Sequence, residues 1–294
     1  MKLQSLSLSG GIVLAWSDPT WITYILPSDS IKKRLIHMLV RFPLSWILFK
    51  PFNGRLNFGG QSIDLETLFS QVADNLSNPV VSAVFINSRR DPPRVYIWLK
   101  SDGVDYFIKI GLISDYPAFA NEFKVLKRKK SIKNVRIMSP LKLYQYGSLA
   151  ILLFEGLTVK EHSEKQRVAP KQVLAHFSQG GVRQKGFFGG VVHGDLSSNN
   201  VFFLGDKLLV LDWESSVESG PAYCDLIELG SALTLSDPVL ENNFEGLRDI
   251  LNTHAGFCPE TSIVKESLEY LAKKGNKNAC QLLSKIDFSE LHIK

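Results

Sequence analysis

Cysteine is scarce, with three in 294 residues: Cys224, Cys258 and Cys280. The number is odd and no pair has the close spacing of a metal-ligand set. Neither a disulfide framework nor a cysteine metal site is expected, and reduced thiols in a cytosolic protein are. Long apolar runs are missing too. A membrane-spanning helix needs about 20 mostly apolar residues. The most apolar stretch, IKKRLIHMLVRFPLSWILFKPF (31–52), is interrupted by Arg34, His37, Arg41 and Pro43. It is not expected to span a bilayer. Two readings stay open for it: a buried helix with a solvated basic face, or a basic amphipathic segment lying on a membrane surface. The N-terminus has one early lysine and a poor apolar core, so no secretory leader is expected. Internal repeats, low-complexity tracts and nucleic-acid-binding signatures are all absent. The net charge of +5 allows attraction to anions without naming one.

What is present is an ordered change of periodicity. Residues 1–60 are aromatic-rich and irregular. In DLETLFSQVADNL, Leu65, Leu68, Phe69, Val72 and Leu76 fall at helical spacing, with Asp64 as the N-cap. Three short strands follow, VSAVFIN, RVYIWLK and DYFIKIG, joined by turn-rich segments in the manner of an antiparallel meander. Pro117 opens a helix that places Phe119, Phe123 and Leu126 on one face. VRIMSPLKLYQYG and LAILLFEGL read as two more strands. After Gly156 the chain turns helical, apart from strand-like segments around VVHGDLSSNNVFF and DKLLVLDWE.

Five features that carry chemistry come in a fixed order. Lys109 lies on a strand, and Glu122 follows thirteen residues later on a helix. Next come the hinge-like LLFEGL, then HGDLSSNN with Asp195 and Asn200, then LDWE with Asp212 and Glu214. Phosphoryl transfer from a nucleotide needs such parts: a held cation on the phosphates, hard oxygen ligands for magnesium, and a carboxylate to orient the attacking hydroxyl.

This order resembles the protein-kinase-like fold, and most closely its aminoglycoside phosphotransferase and choline kinase branch. HGDLSSNNVFF is similar to that branch's catalytic loop, LDWE to its metal motif, and SGPAYCDLIEL to the segment after it. The resemblance covers residues 80–235 well and the C-terminal helices only by position. It implies an α+β, two-lobed kinase-like fold: an N-lobe of antiparallel sheet plus helix at 79–157, a mainly helical C-lobe at 158–294, and an N-terminal extension at 1–78. It implies an ATP-dependent kinase, using Mg2+, that phosphorylates a hydroxyl of a small molecule, sugar or glycan. Lys109 would contact the α/β-phosphates and Glu122 would hold Lys109. The backbone from Phe154 through Glu155 to Leu157 would receive the adenine. Asp195 would orient the hydroxyl and act as base, with His193 bracing the loop and Asp225 supporting it. Asn200 and Asp212 would bind magnesium, and Glu214 would reach a second metal.

Three departures bear on this reading. The loop between the first two strands, NSRRDPPR, has no glycine, so backbone contact with phosphate gives way to the side chains of Arg89, Arg90 and Arg94, against a solvated hairpin tip. The short interval between hinge and HGD leaves little room for the helical insertions of larger antibiotic kinases, which argues against antibiotic resistance. The basic run Lys124, Lys127, Arg128, Lys129, Lys130, Lys133 and Arg136 is either a solvated helix end or a contact for anionic lipid or glycan. The expected setting is cytoplasmic, with peripheral membrane contact through 31–52 as one option and no nucleic-acid partner. The competing readings are a pseudokinase or nucleotide-binding scaffold, and a membrane-surface kinase of a lipid-linked sugar or headgroup.

Overall fold

The computed structural model describes residues 3–8, 12–16, 50–52, 55–58, 61–64, 67–68, 72, 76, 79–87, 93–128, 135–158, 161, 164–179, 191–197, 200–221, 223–236, 244–256 and 258–288. Arg89, Arg90, Lys129, Lys130, Lys133 and most of 31–52 lie outside these. The chain divides into two compact units, one of Met1–Phe123 with Met138–Glu164 and one of Lys124–Ile137 with Lys165–Lys294.

The first unit is built on an eight-stranded sheet. Its strands are β1 (Leu3–Leu8), β2 (Ile12–Trp16), β3 (Lys50–Phe52), β6 (Val80–Asn87), β7 (Arg94–Ser101), β8 (Val104–Leu112), β10 (Pro140–Tyr146) and β11 (Leu149–Glu155). They run in the order β10-β11-β8-β7-β6-β2-β1-β3, every neighbouring pair antiparallel. The expected meander is β6-β7-β8. A separate two-stranded ribbon joins β4 (Arg55–Phe58) to β5 (Gln61–Asp64). Three strands from residues 1–60, the stretch read as irregular, continue this sheet: β2 pairs with β6 from Ile12↔Asn87 to Trp16↔Ala83, and β1 pairs with β2 and with β3.

Because successive strand side chains alternate between faces, each strand splits its residues. On one face Val95, Ile97 and Leu99 of β7, Ile108 and Ile110 of β8, and Leu149, Ile151 and Leu153 of β11 form an aliphatic core with Leu68, Val72 and Leu76. Burying each such side chain is worth about 1.5–3 kcal/mol. The other face carries Phe107, Lys109 and Phe154. An aromatic row runs across it, with ring centroids 5.9 Å from Phe85 to Tyr96, 6.1 Å from Tyr96 to Phe107 and 5.9 Å from Phe107 to Phe154. The helix α1 (Tyr116–Arg128) follows β8.

The second unit holds a four-stranded sheet of order β12-β13-β14-β9, made of β12 (Gln166–Arg167), β13 (Val201–Leu204), β14 (Lys207–Val210) and β9 (Val135–Arg136). The segment VRIMSPLKLYQYG, expected as one strand, is therefore two. Val135–Arg136 runs parallel to β14, and Pro140–Tyr146 runs antiparallel to β11. Pro140 lacks the N–H that a continuous ladder would use. The helices are α2 (Pro170–Gln179), α3 (Cys224–Ser236), α4 (Phe244–Ala255), α5 (Thr261–Lys273) and α6 (Lys277–Leu283). In α3 ten of the residues, from Cys224 to Thr234, are buried, so it is apolar on nearly every side and forms the centre of this unit. Its Gly230 admits α4 closely, since a Cβ there would lie 2.9 Å from Leu247 Cδ1. No described helix is long and apolar enough to cross a membrane.

Candidate active site

In the first unit, Lys109 and Glu122 meet. Lys109 Nζ donates to Glu122 Oε1 at 3.0 Å and Oε2 at 2.8 Å, and both residues are buried. Lys109 stands opposite Leu152 of β11, and its ammonium lies 5.9 Å from the centre of the Phe154 ring. A charge-assisted, two-oxygen pair in a buried setting holds the ammonium at one place on the aromatic face.

Arg94 is not a phosphate contact. It is 1 % exposed, and its Nη2 and Nε donate to Asp115 Oδ1 at 2.6 and 3.2 Å. Its guanidinium also covers the Phe119 ring of α1 at 5.0 Å.

The hinge crosses β8 closely. The Glu155 N–H donates to Ser139 O at 2.9 Å and the Gly156 N–H to Asp105 O at 2.7 Å. A Cβ on Gly156 would sit 3.0 Å from the Tyr106 carbonyl carbon, so the missing side chain allows this approach. Phe154 is fully buried, packed against Phe107. Beyond the hinge, Thr158 and Glu161 form a reciprocal capping box: the Thr158 N–H donates to Glu161 Oε2 at 2.8 Å and the Glu161 N–H to Thr158 Oγ1 at 3.1 Å.

In the second unit the Asp195 loop is held almost entirely through its own backbone. The His193 and Gly194 N–H groups donate to Asp225 Oδ2 and Oδ1 at 2.9 and 3.0 Å. The Asp195 N–H donates to His193 Nδ1 at 3.3 Å, and the Leu196 N–H to Glu228 Oε2 at 3.0 Å. Four successive donors thus end on side chains, two of them carboxylates one helical turn apart on α3. Val192 pairs with Val217 in both directions at 2.9 Å, which fixes the start of the loop. His193 is fully buried. Its Nε2 donates to Leu211 O at 2.9 Å, and its ring meets Trp213 edge-on at 4.9 Å. These partners define a donating Nε2 and an accepting Nδ1, a bracing role rather than a metal-binding one.

Glycine at 194 has a geometric reason. Its φ is +79°, and a Cβ would fall 2.6 Å from the Ser215 carbonyl oxygen. Gly194→Ala is therefore expected to destabilise the protein by at least about 1–2 kcal/mol, read as a lower urea midpoint. The contact makes the loss exceed that of an ordinary surface Gly→Ala change.

Asp195 itself is exposed. Although the residue reaches solvent, the surrounding loop partly desolvates its carboxyl and raises its pKa; the Asp212 charge adds to the rise and an Asn200 hydrogen bond opposes it, with a further small rise from Glu214. Asn200 Nδ2 donates to Asp195 O at 2.9 Å and Asp195 Oδ2 at 3.2 Å, so these two bonds use the donor side of that amide and not its Oδ1. Asp212 sits in the left-handed region, with φ 63° and ψ 65°, at the head of a one-turn 3-10 helix Trp213–Ser215. Few residues besides glycine, asparagine and aspartate adopt it, and such outliers concentrate at functional sites. Among the described residues no three His, Cys, Asp or Glu side chains gather as a metal cage.

Glu228 escaped the sequence reading. It is 5 % exposed, and its Oε1 accepts from Asn276 Nδ2 at 2.7 Å. Burial pushes the Asp225 carboxyl up to about 6, and burial followed by the Asp225 charge pushes Glu228 up to about 8. A carboxyl whose pKa is higher folded than unfolded takes up a proton on folding, so its contribution is complete below the unfolded value and declines toward the folded one. For Glu228 that window runs from 4.5 to about 8. Glu228→Gln is expected to flatten the fall in thermal midpoint between pH 5 and 8, and an unchanged slope would count against this protonation.

Three described residues of the basic run have partners within the second unit. Lys124 reaches Glu218 Oε2 at 3.5 Å, Arg128 pairs with Glu218 Oε1, and Arg136 Nη1 donates to Ile137 O at 2.9 Å.

A strand lysine held by a helix glutamate in the first unit, and a braced Asp/Asn loop with a left-handed aspartate after it in the second, make an α+β protein that resembles the kinase-like fold. In agreement, residues 148–256, from the hinge strand through α4, match the model of the phosphotransferase enzyme family, APH. No curated protein sequence matches the chain. Among solved structures it is similar to aminoglycoside phosphotransferase APH(4)-Ia, at 10% identity over 75% of this chain and 95% of that one, with a TM-score of 0.40. A thermostable mutant of that enzyme, in ternary complex with AMP-PNP and hygromycin B, is similar at 11% identity over 75% and 95%, with a TM-score of 0.42.

Proposed function

We propose that the chain transfers the γ-phosphoryl group of ATP to a hydroxyl of a small molecule, sugar or glycan, in the cytoplasm. The observation that supports this most is the loop 193–196. Every one of its N–H groups is held by a side chain, while the Asp195 carboxylate stays exposed beside Asn200. Such a loop suits orienting an incoming group, because its geometry is fixed before the substrate arrives.

In this reading Asp195 accepts a hydrogen bond from the acceptor hydroxyl and takes its proton as the oxygen attacks. Its raised pKa makes it a better base than an ordinary aspartate. Lys109 lies against the phosphates, kept in place by Glu122. The base lies along the aromatic row of Tyr96, Phe107 and Phe154. Glu155 and Gly156 have spent their N–H groups, so Leu157 supplies the donor of the hinge. Asn200 Oδ1 and Asp212 would hold magnesium, with Glu214 toward a second ion; the donors are all hard oxygens, as that ion requires. When bound, magnesium would supply positive charge against the phosphates.

The test is ATP consumption with magnesium over sugars, amino alcohols, aminoglycosides and nucleosides, alongside thermal shift with MgATP. Turnover on at least one hydroxyl class is expected. A thermal shift without turnover on any acceptor would replace this reading with a nucleotide-binding scaffold.

A further inference from the structure

We propose that Glu228 is a positioning residue for Asp195, and that Asn276 ties it to the C-terminal helices, so that the α5–α6 turn is a working part of the site. The inference rests on the phosphotransferase reading for its kinetic consequence and on geometry alone for the tether.

The chain of contacts is short and buried. The Leu196 N–H, the donor immediately after Asp195, ends on Glu228 Oε2 at 3.0 Å. Glu228 Oε1 receives Asn276 Nδ2 at 2.7 Å. The remaining groups of Asn276 are also engaged: its Oδ1 accepts the Ala279 N–H at 3.0 Å as the N-cap of α6, and its N–H donates to Leu271 O of α5 at 3.0 Å. One residue therefore caps α6 and fixes Glu228 through its side chain, and closes the turn from α5 through its backbone. The Glu228 carboxyl group in turn holds the peptide that sets the direction of Asp195. Asp225 holds the peptides before Asp195 and Glu228 holds the one after it, so neither carboxylate duplicates the other.

Removing an acceptor from a buried N–H leaves that donor unsatisfied, which is costlier than losing an exposed hydrogen bond. The loop then gains an alternative in which Leu196 turns toward water and Asp195 turns with it. A misplaced catalytic group lowers turnover more than binding, because a small displacement takes the reacting atoms out of line.

The experiment is amide hydrogen exchange combined with MgATP turnover on full-length protein, using Glu228→Ala, Glu228→Gln and Asn276→Ser. Glu228→Gln keeps an acceptor oxygen. Asn276→Ser keeps a capping side chain but is too short to reach Glu228. In Glu228→Ala, exchange of residues 191–197 should accelerate about tenfold or more while 149–155 stays unchanged, and kcat should fall about tenfold with the KM for ATP within about twofold. Glu228→Gln should recover most of both, and Asn276→Ser should show a smaller change in the same direction. Unchanged exchange in Asn276→Ser overturns the link to α5–α6. If Glu228→Ala accelerates exchange uniformly, or only locally with kcat intact, the positioning role is overturned. Should wild-type protein turn over ATP on no acceptor, the proposed reaction fails, and the exchange pattern still decides the tether.

Discussion

Asp195→Asn is expected to lower ATP-dependent phosphoryl transfer by about 10²–10⁴-fold, with the KM for ATP and the thermal midpoint close to wild type. The substitution is isosteric. Asn200 Nδ2 donates to Asp195 O and Oδ2, and an asparagine oxygen at 195 can still receive it. The N–H groups of 193–196 keep their side-chain acceptors, none of which is the Asp195 carboxylate. What disappears is the exposed carboxylate of the loop, the group proposed to take the proton of the hydroxyl. Stability should not fall, because the Asp212 and Glu214 charges disfavour a third carboxylate nearby. The measurement is steady-state ATP consumption on the acceptor found by screening, with denaturant unfolding in parallel. Activity within tenfold of wild type would remove Asp195 from the mechanism; equal losses of activity and stability would make it a structural residue.

The parts of the site that were legible in the sequence are those whose chemistry is local. HGDLSSNN and LDWE show their carboxylates and amide between apolar segments, and β13 and β14 form where those segments lie. Lys109 was legible because alternation around DYFIKIG sets it between buried residues, and Glu122 because the next helix starts at a fixed distance. Glu228 was not. It sits in CDLIELG, one turn after Asp225, and the available signal was a second acid in a helix otherwise apolar on every side. A charge there requires donors, and those donors, Leu196 and Asn276, are 32 and 48 residues away. Arg94 was misread for the same reason. At the end of a polar turn an arginine reads as exposed, and nothing local reveals a partner at Asp115. The pairing of β2 with β6 joins residues about 70 apart, beyond the reach of periodicity.

The second large effect concerns that arginine. Arg94→Met is expected to destabilise the protein by about 3–5 kcal/mol. Arg94 and Asp115 are both buried, and Asp115 Oδ2 has no hydrogen-bond partner. The space around that oxygen is closed: a Cβ on Gly111 would lie 2.3 Å from it, so water has no easy entry from β8. Removing the guanidinium leaves a carboxylate with neither partner nor solvent, which is the costly half of breaking a buried pair. Removing both charges is a different matter. In Arg94→Met with Asp115→Ala no unpaired charge remains, so the double variant is expected to be more stable than Arg94→Met alone, despite losing the contact of the guanidinium with Phe119. Function should follow in a specific way. Asp115 immediately precedes α1, and Phe119 and Glu122 lie within it, so the pair fixes the start of the helix that presents Glu122 to Lys109. The double variant should therefore fold yet bind MgATP more weakly, as a rise in KM for ATP, because Lys109 loses a fixed partner. Urea unfolding of the two variants, with ATP kinetics on the double one, decides it. If the double variant is as unstable as Arg94→Met, the cost lies in packing rather than in the stranded charge; if it binds ATP like wild type, α1 keeps its place without the pair.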